Sequence, residues 1–205
     1  AVAVNTGTAA LHAALMAVGI KRDDEVILPS FTFVATAESV VLAGGKPVFV
    51  DIDPQTYTLS IPAVKEAITK KTKAILPVDL YGFSADMQPL REIAVEHDLS
   101  LVEDAAQAHG ATYNNRSVGA FSNVACWSLY ASKNMMTGEG GVMTTDDDQI
   151  DETLRMIRTH GEKAKYASLI LGSNYRMSEL QAAIGNVQLK KVSSFLSKRR
   201  QNAIK

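Results

Sequence analysis

The chain has 205 residues, enough for one sizeable hydrophobic core and cramped for two full domains. Apolar residues make up 46% and charged residues 21%, close to the averages of globular proteins, which excludes disordered and fibrous classes. A formal net charge of -1 provides no broad basic field for a phosphate backbone or an anionic membrane, even though "KKVSSFLSKRR" makes one end locally basic, so no nucleic-acid or membrane partner is expected.

No signal-peptide pattern opens the sequence, and the longest apolar run, "VVLAGG", is far too short to cross a bilayer, so a cytoplasmic protein is expected. Cys126 is the single cysteine, which rules out an intrachain disulfide and a thiolate metal cluster. His12, His97, His109 and His160 lack the close helical pairing of a zinc site. Each is expected to be a surface or hydrogen-bonded residue, and no metal is predicted.

In chain order, "AVAVNTG" enters a core strand or its turn at once. "TAALHAALMAV" then sets Leu11, Ala14, Leu15 and Val18 at helical spacing, with Gly19 where an amphipathic helix would stop. "EVILP" reads as a strand, "FVATAESVVLAGG" as a helix stopped by Gly44 or Gly45, and "PVFVDI" as a second strand. "IPAVKEAI" is a helix, "KAILPVDL" a strand, "DMQPLREIAVEHDL" a helix capped near Asp86, and "SLVEDAA" a strand. "NVACWSLY" and "GGVMTT" read as strands flanking a loop that carries Lys133, and "DDQIDETLRMIRTHG" as a helix with an acidic first turn, stopped by Gly161. Strands alternating with helices predict the α/β class, a mostly parallel central sheet with helices on both faces. No repeat or low-complexity linker marks an internal boundary, and the final basic helix, "ELQAAIGNVQLKKVSSFLSKRRQNAIK", has no C-cap signal, so the sequence reads as a fragment.

Five stretches carry chemistry. "NTGTAALHAAL" sets Asn5, Thr6, Gly7 and Thr8 at a helix N-terminus, where free N–H groups and the helix dipole favour a phosphate; an ordinary cap by Thr6 or Thr8 is the alternative. "VEDAAQAHGA" puts Asp104 at the carboxyl end of a buried strand, the place where ligands bind in open α/β sheets. It could equally make a cap or loop hydrogen bond there, and Glu103 points to the opposite face. In "PSFTFVAT", Phe31 and Phe33 flank Thr32; an aromatic at a strand end can stack on a planar ligand, although core packing is the commoner fate. "TGEGGVMTT" lacks both the Walker lysine and the dinucleotide spacing, so no nucleotide fold is read from it. Most lysines are solvated surface amines, but Lys133 follows an apolar strand with Trp127 and Leu129, is preceded by Ser128 and Ser132, and leads into Gly138, Gly140 and Gly141. A semi-buried amine of that kind suits Schiff-base chemistry.

Together, "NTGTAALHAAL", "PSFTFVAT", "VEDAAQAHGA", "SLYASKNMMTGEGG" and "NYRMSELQAAIG" resemble the DegT/StrS family of pyridoxal-phosphate sugar aminotransferases, in the family's order and over almost the whole chain. The resemblance implies an aspartate-aminotransferase-like fold of type I. It implies pyridoxal 5'-phosphate bound covalently to Lys133, with Asp104 paired to the pyridine nitrogen, Gln107 near the phenolic oxygen and Phe33 stacked on the ring. Gly7, Thr8 and Ser128 match the phosphate cradle, and Asn174 matches a residue that reaches the neighbouring subunit's cofactor, which implies a homodimer. An amino donor, glutamate, and a keto group on a nucleotide-linked sugar are the implied substrates, in cell-surface polysaccharide or amino-sugar biosynthesis. A related dehydratase branch carries histidine at the lysine position, so Lys133 argues against that chemistry. The resemblance also implies that residues 1–189 are the large cofactor-binding domain, lacking an upstream segment, and that 190–205 lead toward a small C-terminal domain outside the sequence. A non-catalytic cofactor-binding or assembly module, and another type I enzyme such as a lyase, are the alternatives.

Overall fold

Apolar strand segments and the helices between them assemble around one seven-stranded sheet in the computed structural model, which describes residues 1–204. The elements run β1 (Val2–Val4), α1 (Gly7–Ala17), β2 (Glu25–Pro29), α2 (Val34–Leu42), β3 (Lys46–Val50), α3 (Ile61–Ala67) and β4 (Thr72–Ile75). A 3-10 turn (Leu80–Gly82), α4 (Met87–Glu96), β5 (Ser100–Asp104), β6 (Thr112–Tyr113), β7 (Arg116–Ser117) and β8 (Val124–Ser128) follow. The chain continues through β9 (Gly141–Thr144), α5 (Asp148–Arg158), β10 (Glu162–Ala164), β11 (Ala167–Ser168) and α6 (Glu179–Ala203).

The sheet order is β1-β9-β8-β5-β4-β2-β3. The pairs β2·β3, β2·β4, β4·β5 and β5·β8 are parallel, and β9 is antiparallel to both of its neighbours, so β9 alone runs against the other strands. This is the expected α/β class with a mostly parallel sheet.

Side-chain alternation along each strand splits the core in two. Val26, Leu28, Ala74, Leu76, Val102, Val124 and Cys126 pack toward α1, α2 and α5, whereas Ile27, Ile75 and Leu101 pack toward α3 and α4. Burying β2 on both faces explains why "EVILP" is an unbroken apolar run after its first residue. One expectation changes here. The helix α1 is not amphipathic: Ala9, Ala10, Leu11, Ala13, Ala14 and Leu15 are all buried, because it lies against the sheet and also touches α2 and α5. Its alanines let those neighbours approach closely.

Other differences have local causes. The regular part of "KAILPVDL" ends at Ile75, because Pro77 has no N–H to continue the ladder, and the chain rejoins β5 only through a bridge between Val78 and Asp104. Asp86 occupies the N-cap of α4 but makes no capping bond; its carboxylate accepts from the Tyr113 hydroxyl instead. α5 ends at Arg158, before Gly161. Two small hairpins, β6·β7 and β10·β11, were not foreseen; the first turns at Asn114 and Asn115, both at positive φ. Among the described residues, no helix is long and apolar enough to cross a membrane.

Candidate active site

At the carboxyl end of β5, the N-terminus of α1, the start of α2 and the loop after β8 meet around a cleft of about 450 Å³, a size typical of small-molecule sites. Gly7, Thr8, Phe33, Asp104, Gln107, Ser128 and Lys133 all line it. Asn174 does not: it is exposed outside the cleft, its backbone bridged to Thr159 and its carbonyl accepting from Asn5 Nδ2 at 3.4 Å.

Asp104 shows why both readings of it were open. Its Oδ1 accepts the Ala106 N–H at 3.2 Å, a loop hydrogen bond, while the residue also lines the cleft. Oδ2 accepts the Thr36 hydroxyl at 2.8 Å. Because that bond uses the only hydrogen on Thr36, the 2.8 Å contact between Thr32 and Thr36 must have Thr32 as donor. Burial pushes the Asp104 carboxyl above the ordinary range; the Thr36 hydroxyl, the Ala106 N–H and the charge of Lys133 pull it back without cancelling the effect. A cationic ligand group beside Asp104 would relieve that burial cost.

The phosphate-like corner follows from helix geometry. Thr6 caps α1, its Oγ1 accepting the Ala9 N–H at 3.0 Å, which leaves the N–H groups of Gly7 and Thr8 without partners inside the helix. The cap and the anion site, posed as alternatives by the sequence, therefore coexist. Gly7 is required by proximity, since a Cβ there would lie 2.8 Å from Ser128 Cβ. Ser128 is buried at the end of β8, and its Oγ accepts the Tyr130 N–H at 3.3 Å.

Lys133 is half-buried within a loop closed by its own backbone. Its N–H donates to Tyr130 O at 2.9 Å, Thr137 N–H to Leu129 O at 2.8 Å, and Leu129 N–H to Gly140 O at 2.8 Å. The loop is braced from α6: Gln181, partner of Ser178 in a capping box, donates from Nε2 to Glu139 O at 2.8 Å. This contact accounts for the placement of "NYRMSELQAAIG", whose helix start buttresses the lysine loop.

Two expectations need correction. Phe31 and Phe33 are not core residues; they are 45% and 68% exposed, and Phe33 stands at the cleft as the N-cap residue of α2. His109 is neither on the surface nor hydrogen-bonded. It is buried against Trp127 with both ring nitrogens unpartnered, and burial, followed by the charge of Lys133, lowers its pKa to about 4, so the ring is neutral. The sequence reading also missed Thr36, Tyr130 and Glu139. Thr36 had a signal, because it and Ser39 are polar residues on the buried face of a helix; Tyr130 and Glu139 had none.

The sequence model of the DegT/DnrJ/EryC1/StrS aminotransferase family matches residues 1–204. The chain belongs to this family. Members similar to it include a pleiotropic regulatory protein of Geobacillus stearothermophilus, 48% identical over 198 residues, which span 96% of this chain and 53% of that protein. The GDP-perosamine synthase of Caulobacter vibrioides is 46% identical over 201 residues, 97% of this chain and 54% of that enzyme. Among solved structures, S. venezuelae DesV in complex with a ketimine intermediate superposes with a TM-score of 0.92 at 46% identity, over 94% of this chain and 52% of DesV. The chain thus spans about half the length of the DegT/DnrJ/EryC1/StrS relatives it matches.

Proposed function

We propose that this chain forms the cofactor-binding part of a pyridoxal-phosphate aminotransferase that moves an amino group from glutamate to a keto group of a nucleotide-linked sugar. The observation that carries this reading is the convergence of one half-buried amine, Lys133, and one buried carboxyl, Asp104, on a cleft walled by the N-terminus of α1.

The donor set fits the cofactor. A phosphate suits the free N–H groups of Gly7 and Thr8 together with the Ser128 hydroxyl, and a protonated pyridine nitrogen suits Asp104. Phe33 offers an aromatic face at the mouth, and Gln107 a side-chain amide. When bound, the cofactor supplies an electron sink for the substrate carbon. Asp104 keeps the ring nitrogen protonated. Lys133 Nζ would be the amine that holds the cofactor, and, lying on the same cleft, would serve to move a proton as general base and then as general acid.

The wider reading rests on family membership and on the relatives' names. Residues 1–189 act as the cofactor-binding domain, and the basic stretch 190–205 leads toward a further domain of the full-length protein. Asn174, exposed outside its own cleft, reaches the cofactor site of a second copy in a homodimer. A cytoplasmic setting suits a chain whose only cysteine is a free buried thiol.

The test is turnover: the full-length protein loaded with pyridoxal phosphate is expected to release 2-oxoglutarate from glutamate in an amount stoichiometric with bound cofactor, and catalytically once a nucleotide-linked keto sugar is added. One relative is named a regulatory protein, which favours a second reading, a non-catalytic cofactor-binding module. Cofactor uptake without 2-oxoglutarate release would decide for that module.

A further inference from the structure

Between β4 and α4 the chain doubles back through the 3-10 turn, and Tyr81 inside it adopts φ 56° and ψ 18°, the left-handed region that bulky side chains rarely occupy. Packing of its ring does not hold it there, since Tyr81 is 77% exposed. The turn is fixed from its first residue. Asp79 N–H donates to Asp104 O at 3.0 Å, Asp79 O accepts the Gly82 N–H at 3.2 Å, and Asp79 Oδ1 accepts the Ala85 N–H at 2.9 Å. Asp79 thereby ties the entry and the exit of the turn to the strand end that bears Asp104.

The strained backbone has one visible product. It directs the Tyr81 N–H at Gln107 Oε1, 2.8 Å away. A backbone N–H only donates, so the atom it meets is the amide oxygen, and the Gln107 NH2 is left as the group available to the cleft. Gly82 closes over the same residue; a Cβ on it would lie 3.3 Å from Gln107 O.

We infer that Asp79 is a positioning residue for the proposed site: acting through the turn and the Tyr81 N–H, it fixes the Gln107 amide so that its NH2 donates to the ring oxygen of bound pyridoxal phosphate. The inference rests on the reading of the cleft given above. An observed left-handed non-glycine residue held beside a site is the kind of strain that structure maintains for function.

The chemistry of Asp79 agrees. It is fully buried, and its Oδ2 receives no hydrogen bond. Burial first, and then the charge of Glu103, raises its carboxyl well above the ordinary range, which favours the protonated acid. Glu103 in turn accepts the Gly119 N–H at 3.1 Å and the Ser122 hydroxyl at 2.7 Å. A protonated Asp79 behaves as an asparagine would, accepting at one atom and donating at the other.

The experiment is a double-mutant cycle in the full-length protein, read as pyridoxal-phosphate affinity by visible absorbance below each variant's melting temperature. Asp79→Val removes the acceptor; it is expected to weaken uptake about fivefold or more when Gln107 is present and less than about twofold in a Gln107→Ala background. Asp79→Asn is expected to stay within about twofold of wild type, because the amide reproduces the protonated acid. Equal losses in both backgrounds, or an asparagine variant as impaired as the valine one, overturn the role of Asp79. If the valine variant does not fold, Asp79→Ala, which also lacks an acceptor, repeats the cycle. A wild-type protein that takes up no pyridoxal phosphate overturns the reading of the cleft itself, and this inference with it, whereas normal uptake with no coupling overturns the inference alone.

Discussion

Adjacent carboxyls at the end of β5 serve opposite faces of the sheet. Asp104 meets the cleft and the Thr36 hydroxyl, while Glu103 meets Asp79, Gly119 and Ser122. Because Asp79 keeps its proton above the ordinary carboxylate range, the folded chain binds more protons than the unfolded chain once the pH passes that range. Its contribution is therefore fully present in acid, below the unfolded value, and is lost as pH rises through the raised folded value. Asp79→Asn removes this dependence. Its melting temperature relative to wild type is expected to rise as the pH climbs above the ordinary carboxylate range, by roughly 2–4 °C for each kcal/mol regained. Melting curves that shift in parallel for both proteins over that climb would contradict a protonated Asp79.

At the scale of elements, the site depends on how tightly the start of β9 meets the start of α1. A Cβ on Gly141 would lie 2.3 Å from Thr6 O, so the strand and the capped helix touch backbone to backbone. Gly141→Ala must push them apart. The expected cost is about 1–3 kcal/mol of stability, together with weaker pyridoxal-phosphate uptake, because the N–H groups of Gly7 and Thr8 move with the helix. Thermal melts and an absorbance titration check both, and an alanine variant equal to wild type in each would show that the contact relaxes freely. Most of these elements were legible in the sequence, since apolar runs on strands buried on both faces and helical apolar spacing are both set by burial. The hairpins β6·β7 and β10·β11 were not, because strands of two or three residues carry no periodicity. The identity of the cleft residues was legible through motif order rather than local chemistry: Lys133 alone reads as a surface amine, and Phe33 alone as core. Thr36 carried a local signal as a polar residue on a buried helix face, but its partner, Asp104, 68 positions away, did not show in it. Asp79 was hidden for a similar reason, since its weight comes from Ala85, Glu103 and a strained Tyr81 that no sequence pattern announces.

For the molecule as a whole, one two-sided core fixes the sheet, and its carboxyl end gathers four separate segments into the cleft. The apolar residues Leu180, Ile184 and Val187 stand exposed at helical spacing on α6, on the helix whose first turn braces the lysine loop. A helix with a stripe of that kind is ordinarily covered by a partner, in keeping with the homodimer proposed above. The central claim concerns Lys133, and the most direct measurement is borohydride reduction of the pyridoxal-phosphate-loaded, full-length protein followed by peptide mass mapping. A phosphopyridoxyl group on Lys133, absent from a Lys133→Ala variant, is the predicted result. Label on other lysines but none on Lys133 at saturating cofactor would contradict it.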